Sequence, residues 1–200
     1  MMNTWHKRFD TAQYMYGESP NAFIKSHVDA LQDHKEIAAF AEGEGRNAVF
    51  LAQKGHVVTA FDYAESGLTK TTQLANKNQV TVNTVLCDLI NDDLPVQQFD
   101  GAIMVFGHFH KTDQFHVLDK IMTSVKQGGI VMIEVYSETQ LHYKTGGPPD
   151  QDWLYDAKQV LAWCEHHKIL HFFTGEQMRT EGILHTGLAH TVQFIIQKTC

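Results

Sequence analysis

Two apolar segments, with an amphipathic segment between them, define the first part of the predicted fold. Residues 37–41 form a short apolar run of the length expected for a strand that is covered on both faces. Residues 46–54 follow a helical pattern, and residues 56–61 are rich in β-branched and aromatic side chains, as a second strand should be. This order predicts a strand, a loop, a helix and a second strand, which is the building unit of a parallel sheet.

The same alternation continues along the chain. Further strands are predicted at 80–87, 100–106 and 129–136, and helices at 114–126 and 156–167. Strands that alternate with helices need crossover connections, so we expect a single α/β, Rossmann-like domain with a mostly parallel sheet and helices on both faces. The last apolar stretches, 171–174 and 191–197, are separated by a polar segment too short for a crossover helix, and we expect them to pair antiparallel.

A glycine-containing loop follows the first predicted strand. It reads Glu42-Gly43-Glu44-Gly45, and glycines there permit a tight turn and let a ligand approach the main chain closely. Asp62 closes the second strand about twenty residues later, where an acid can hold a ribose diol. Asp88 ends the third strand at the same edge of the sheet and is expected on the adenine side, with a turn cap as its alternative role. This spacing predicts a nucleoside site.

Composition and charge favour a single globular domain and argue against nucleic-acid-binding and membrane-spanning classes of protein. Two hundred residues with 43% hydrophobic content suffice for one domain, and no Pro-, Gly- or Ser-rich stretch marks a linker. We expect one domain over 1–200, with residues 1–35 as an N-terminal lid or helical segment. The net charge of -7 argues against a nucleic-acid partner, and the apolar runs fall far below the roughly 20 residues that span a bilayer. We therefore expect a cytoplasmic protein, with monomer and dimer both open.

The cysteines and histidines do not indicate a metal site. Three cysteines are too few and too scattered for a disulfide framework. His108 and His110 alternate as residues on one face of an extended segment do, which permits metal binding, but the spacing indicates no third ligand. We expect no metal.

The glycine loop, Asp62 and Asp88 together resemble the donor-binding positions of class I S-adenosylmethionine-dependent methyltransferases. More narrowly, three segments look like the tellurite-resistance-type and thiopurine-methyltransferase-like branch: Trp5-x-x-Arg8-Phe9, Tyr16-Gly17-x-x-Pro20-Asn21-x-Phe23 and Glu42-Gly43-Glu44-Gly45-Arg46-Asn47. The resemblance implies a seven-stranded sheet with one antiparallel strand, and S-adenosylmethionine as the cofactor. It also implies the following donor-binding residues: Glu42, Gly43, Gly45, Arg46, Asn47, Asp62, Asp88 and Tyr16.

The resemblance also implies a catalytic histidine near the final strands. The segment 181–185 is similar to a family pattern in which the histidine faces the substrate, which gives that role to His185, with His190 as a weaker candidate. The sequence departs from the branch in one respect. The arginine that accompanies this histidine in the tellurite-resistance enzymes has no counterpart between His185 and Lys198.

The expected reaction is methyl transfer to a small-molecule acceptor such as a thiol, a thiopurine or a chalcogen oxyanion. Soft acceptors need mainly positioning, whereas a neutral oxygen or nitrogen benefits from a base such as His185. The predicted substrate pocket contains Tyr14, His108 and His110, since the histidines follow the fourth strand and Tyr14, like Tyr16, can present an aromatic face to a sulfonium.

Two other functions stay open on the sequence alone. Gly43-x-Gly45-x-x-Ala48 also satisfies the dinucleotide fingerprint, with Asp62 at its acidic position, so an NAD(P)-dependent oxidoreductase is one alternative. The other is a non-catalytic protein that binds S-adenosylmethionine and has lost the acceptor chemistry.

Overall fold

The computed structural model describes residues 4–182 and 184–199. Its strands are β1 (Glu36–Phe40), β2 (Val57–Asp62), β3 (Val82–Leu86), β4 (Phe99–Val105), β5 (Val125–Tyr136), β6 (Lys168–Glu181) and β7 (His185–Gln197). Its α-helices are α1 (Thr4–Phe9), α2 (Ala22–Ser26), α3 (Arg46–Gln53), α4 (Glu65–Lys77), α5 (Lys111–Ser124) and α6 (Ala157–Cys164). Short 3-10 segments occupy Val28–Leu31, Glu138–His142 and Gln151–Trp153.

The strands form one seven-stranded sheet in the order β3-β2-β1-β4-β5-β7-β6. The first five strands are parallel, and β7 runs antiparallel to both β5 and β6. The expected seven-stranded sheet with one antiparallel strand is therefore confirmed. The strand order reverses between β1 and β4, and the crevice at the carboxyl ends of such strands is where open α/β sheets bind ligands.

Apolar side chains cover both faces of the sheet. One cluster joins the inner side chains of α3 and α4 to β1 and β2, and includes Val49, Leu51 and Leu74. The other joins α5 and α6 to the opposite face, and includes Leu118 and Val160. The sheet is thus a rigid platform whose loops at the carboxyl ends of the strands carry the candidate site. Within the described residues, no helix combines the length and the apolar character needed to cross a membrane.

One helix was not predicted, and two others have different bounds from those predicted. Helix α4 was not assigned from the sequence, because its inner surface is partly polar: Lys70 and Thr71 are buried there beside Leu74. Helix α5 spans Lys111–Ser124 instead of the predicted 114–126, because β5 begins at the next residue, Val125. Helix α6 ends at Cys164, short of the predicted residue 167.

The last two strands form a much longer hairpin than predicted. Pairing runs from Lys168 opposite Gln197 out to Glu181 opposite His185. The outer half was expected to be a polar loop, because most of its side chains are polar. They are accommodated since the hairpin lies at the sheet edge and its inward-facing Arg179 and Glu181 pair with other charged groups. The extension places His185 beside the glycine loop.

Candidate functional site

The glycine loop after β1 has the backbone conformation that its sequence predicts. Gly43 and Gly45 have φ values of 63° and 90°, in the left-handed region that favours glycine. A Cβ atom on Gly45 would lie 2.7 Å from the Cα of Thr71, so α4 packs directly on this turn. The loop therefore needs glycine for its conformation and for its close packing.

Glu42 ties the loop to the start of α3. Its Oε1 accepts hydrogen bonds from the backbone N–H groups of Asn47, at 2.9 Å, and Ala48, at 2.8 Å. A carboxylate at a helix N-terminus satisfies N–H groups that have no partner within the helix. Burial nevertheless raises the pKa of Glu42 to about 7. The hydrogen bonds and the charge of Arg46 lower this pKa, but they only partly offset the effect of burial.

Asp62 joins the end of β2 to the same loop. Its Oδ2 accepts from Gly43 N, and its Oδ1 from Ala64 N, both at 2.8 Å. Burial raises the pKa of this carboxyl to about 6. Each carboxylate oxygen has two acceptor positions, so Asp62 keeps capacity for the hydroxyls of a ribose. Asp88, at the end of the neighbouring strand, accepts from Ile90 N and Asn91 Nδ2, so it also caps a turn.

The N-terminal segment covers the glycine loop with aromatic side chains. Phe9 lies against Gly43, where a Cβ atom would come within 3.1 Å of the Phe9 ring. Trp5 and Tyr16 pack around Phe9, at ring-centroid distances of 5.6 and 6.3 Å. Tyr16 in turn lies 4.4 Å from the ring of His185. The structure therefore brings Tyr16, the loop and His185 together.

Glu44 of the loop and the first two residues of α3 hold this segment in place. Glu44 accepts from Lys70 Nζ at 2.7 Å and from the backbone N–H of Tyr16 at 3.3 Å. Arg46 donates to the carbonyl oxygen of Tyr16 at 3.3 Å, and Asn47 Oδ1 accepts from the backbone N–H of Asn21 at 2.9 Å.

A buried network of ionic groups lies next to the loop. Arg46 Nη1 is 2.7 Å from Glu181 Oε2, and Arg179 pairs with both Glu181 and Glu134. Asn21 Nδ2 donates to Glu134 Oε2 at 2.6 Å. Burial opposes ionisation of Glu181, but the two arginines and a backbone N–H hold its pKa below the usual range. Two formal positive and two formal negative charges therefore balance at this side of the site.

An aromatic group lies on the other side. Phe106 follows β4 with a φ of 56°, which is rare for a residue other than glycine. Its ring stacks on Tyr136 at 4.3 Å, and His185 meets it edge-on at 4.6 Å. The Arg179 guanidinium lies 5.2 Å from its centroid, and His108 stacks on Tyr136 at 5.6 Å. Backbone strain of this kind is concentrated at functional sites.

Four polar atoms in this group are buried without a hydrogen-bond partner. They are Tyr136 Oη, His108 Nε2, His185 Nδ1 and Arg179 Nε. Burial lowers the pKa of His185 to about 3 and that of His108 to about 4, and raises that of Tyr136. Both imidazoles are therefore neutral at pH 7. Buried polar groups are nearly always paired, so four such atoms together mark a place where a polar ligand fits.

The remaining predicted pocket residues have other contacts. Tyr14 Oη donates to the Lys70 carbonyl of α4 at 3.2 Å, and Lys70 Nζ lies 5.1 Å from its ring. His110 caps α5, where its Nδ1 accepts from the backbone N–H of Thr112. The structure therefore does not place Tyr14 or His110 in the aromatic group. Within the described ranges, no three His, Cys, Asp or Glu side chains are grouped as metal ligands would be.

Sequence reasoning did not identify several residues of the site, namely Phe106, Glu134, Tyr136, Arg179 and Glu181. One signal was available, since Glu134 is a single acid inside an otherwise apolar strand. Arg179 gave no such signal, because only the register of the β6–β7 hairpin brings it beside His185 and Phe106. No arginine lies between His185 and Lys198, but Arg179, on the preceding strand β6, lies near His185 in the structure.

Comparison with known proteins finds a family match in the central part of the chain. Residues 37–129 match a family model described as a methyltransferase domain. The ubiquinone biosynthesis O-methyltransferase of Rickettsia bellii is 28% identical over 145 residues, which are 70% of this chain and 55% of that protein. The chain thus spans about half the length of the curated relatives it matches.

Solved structures share the fold at low identity. A SAM-dependent methyltransferase from Methanosarcina mazei has a TM-score of 0.71 at 16% identity, covering 90% of this chain and 99% of its own. TehB from Haemophilus influenzae has a TM-score of 0.70 at 14% identity, covering 99% of this chain and 67% of its own. These structures share the fold of this chain, and the match to the methyltransferase family model covers residues 37–129. Neither the oxidoreductase nor the non-catalytic alternative is favoured.

Proposed function

We propose that this chain is a class I S-adenosylmethionine-dependent methyltransferase, and that it transfers the donor's methyl group to a small-molecule acceptor. The observation that supports this most is the contact between two parts of the site. Tyr16 lies over the glycine loop and also packs on His185, beside the four unpartnered polar atoms. The glycine loop and a group of unpartnered polar atoms therefore adjoin each other.

The residues present fit the donor. The loop has two glycines of positive φ, which turn the chain tightly after β1, and a buried carboxylate at the end of β2 holds the N–H of the first glycine. We assign the donor to Glu42, Gly43, Gly45, Arg46, Asn47, Asp62, Asp88 and Tyr16. When bound, it supplies a methyl carbon attached to a positively charged sulfur. Tyr16 would offer that cation an aromatic face, and Asp62 would accept from the ribose hydroxyls.

The pocket residues position an acceptor and exclude water. The paired arginines and glutamates place no net formal charge beside it, and the two neutral imidazoles add none. A small neutral or soft nucleophile suits such a pocket. Holding acceptor and donor in the reactive geometry provides most of the available acceleration in a displacement of this kind.

The roles of His185 and of the N-terminal segment are part of this proposal. His185 would contact the acceptor, because its Nδ1 is buried without a partner. Residues 1–35, of which 1–3 lie outside the described residues, would act as the lid, and the aromatic packing of Trp5, Phe9 and Tyr16 over the loop supports this.

For the acceptor we propose a thiol, a thiopurine or a chalcogen compound. The resemblance of three sequence segments to the tellurite-resistance-type branch supports a soft acceptor. The relative from Rickettsia bellii is named for an oxygen acceptor, so a hydroxyl compound is the second candidate.

Isothermal titration calorimetry with S-adenosylmethionine, its demethylated product and NADH tests the proposal. We expect the first two compounds to bind and NADH not to bind. Asp62→Ala should weaken donor binding. Glu176→Ala is the control, since Glu176 is an exposed residue that accepts a hydrogen bond from Tyr143. Unchanged donor affinity in the Asp62 variant would contradict the assignment, and binding of NADH alone would overturn the proposed function.

A further inference from the structure

The hydrogen bond of His108 fixes the positions of its protons. His108 Nδ1 lies 3.0 Å from the carbonyl oxygen of Trp153. A carbonyl oxygen can only accept, so Nδ1 must carry the hydrogen of this bond. In a neutral imidazole, one nitrogen is a donor and the other an acceptor. Nε2 of His108 therefore has a free lone pair, and this atom is buried without a partner.

The ring of His108 is also held in its orientation. It lies nearly parallel to Phe106 and Tyr136, at interplanar angles of 7° and 12°. Tyr155 lies 5.9 Å away, with its own hydroxyl bound to the carbonyl of Gly107 at 3.0 Å. Although part of His108 reaches the surface, its Nε2 edge is enclosed. A lone pair of fixed direction thus belongs to the same group as the unpartnered atoms of Tyr136 and His185.

We infer that His108 is the catalytic base of the reaction, and that Nε2 accepts the proton of an acidic O–H or S–H group on the methyl acceptor. This inference rests on the proposed function. The acceptor's X–H bond breaks, its proton moves to Nε2, and its electron pair forms the new bond to the methyl carbon as the donor's carbon–sulfur bond breaks. The imidazolium then returns its proton to solvent after the product leaves. The carbonyl of Trp153 stabilises that imidazolium through Nδ1, as the orienting group of a catalytic histidine does.

The chemistry of this base indicates the class of acceptor. Burial lowers the pKa of His108 to about 4, although the bond to Trp153 partly opposes this. A base weakened by burial assists acceptors whose proton is already acidic, so it favours thiols and aromatic hydroxyl compounds over aliphatic alcohols. The titratable side chains that face His108 are Tyr136, Tyr155 and His185, and the two tyrosines stay uncharged since burial raises their pKa values.

Nuclear magnetic resonance tests the tautomer without any substrate. Besides the rings of His27 and His56, whose Nδ1 atoms also lie near carbonyl oxygens, long-range ¹H–¹⁵N spectra of protein labelled at histidine should show one ring with Nδ1 protonated and Nε2 unprotonated. That ring should stay neutral from about pH 5 to 8. The signal should be absent from His108→Asn, and it should shift when an aromatic thiol is added. A ring protonated at Nε2 would overturn the inference while leaving the proposed function intact.

Kinetics test the chemical role. His108→Asn keeps an amide N–H for the Trp153 carbonyl and removes the lone pair of Nε2. With an aromatic hydroxyl acceptor that is un-ionised at the assay pH, we expect kcat to fall by roughly 10²–10⁴-fold. The lost rate should recover as the pH rises and the acceptor ionises. With an aromatic thiol that is already ionised, kcat should change by only a few-fold.

The control is His116→Asn, because His116 is an exposed histidine of α5. Donor affinity, measured by calorimetry, should equal that of the wild type in both variants. Equal losses with ionised and un-ionised acceptors would show a structural role and overturn the inference, as would an unchanged kcat. If the wild type binds the donor but methylates neither an aromatic thiol nor an aromatic hydroxyl compound, the inferred class of acceptor is wrong and the inference is overturned. If the donor does not bind, the proposed function itself fails.

Discussion

Arg46 Nη1 lies 2.7 Å from Glu181 Oε2, so the first residue of α3 is bound to the last residue of β6. The two side chains are 7% and 9% exposed, and the pair is thus a buried one. It joins the glycine loop to the β6–β7 hairpin, which are far apart in the sequence. Removing one partner of a buried pair leaves the other charge without compensation.

Glu181→Gln should therefore destabilise the protein strongly. We expect a loss of about 3–5 kcal/mol in the free energy of unfolding, since Arg46 and Arg179 both lose an ionic partner. Denaturant unfolding monitored by circular dichroism measures this loss. The matched control is Glu176→Gln on the exposed side of the same strand, for which a loss within about 0.5 kcal/mol is expected. Equal losses in the two variants would contradict a structural role for the buried pair.

Gly45→Ala should cost more than the same change at Gly55. Both glycines have positive φ, of 90° and 95°, so each alanine variant bears the left-handed strain of about 1–2 kcal/mol. At Gly55 no atom lies within 4 Å of the added Cβ, whereas at Gly45 the Cβ would meet the backbone of Thr71 at 2.7 Å. Thermal unfolding of the two variants compares them directly. A smaller loss at Gly45 than at Gly55 would show that α4 does not constrain the loop.

Asp62 should make stability depend on pH in the acidic range. Burial raises its pKa from 3.8 to about 6, so the folded state binds this proton more tightly than the unfolded chain does. This contribution to stability is full below about pH 4 and is lost as the pH rises to about 6. Asp62→Asn removes the titration. The stability of the wild type relative to the variant should therefore fall between these two pH values.

Urea unfolding of both proteins across the same range measures the Asp62 effect. A difference in stability that does not change with pH would show that the carboxyl keeps an ordinary pKa in the folded protein. A difference that grows in favour of the wild type with rising pH would reverse the sign and point to a charged partner for Asp62.

Much of the fold could be predicted because its signals are local. The apolar run before Gly43 and the acid at the end of β2 indicated the parallel unit, and the structure has both where they were expected. The missed helix α4 had a weak apolar pattern, since its buried Lys70 is compensated by Glu44 instead of by apolar packing. Such compensation depends on a partner distant in sequence.

The aromatic group around Phe106 was harder to predict than the glycine loop, because its contacts also join residues that are distant in the sequence. Phe106 has no sequence feature that indicates its positive φ, and Arg179 acquires its place only through the register of a hairpin whose outer half is polar. Even His108 was predicted only as a lining residue. Its free lone pair depends on a hydrogen bond to Trp153, forty-five positions away. Tertiary contacts, and not periodicity, assign these roles.

The position of the β6–β7 hairpin bears on how such a protein evolves. The segment that matches the methyltransferase family model, 37–129, contains the glycine loop, Phe106 and His108, but the hairpin with Arg179, Glu181 and His185 lies outside it. On the proposed function, selection can alter acceptor preference through the hairpin while the donor cradle stays the same. The bond between Arg46 and Glu181 is where the two parts must change together, so drift at one of these positions calls for a compensating substitution at the other.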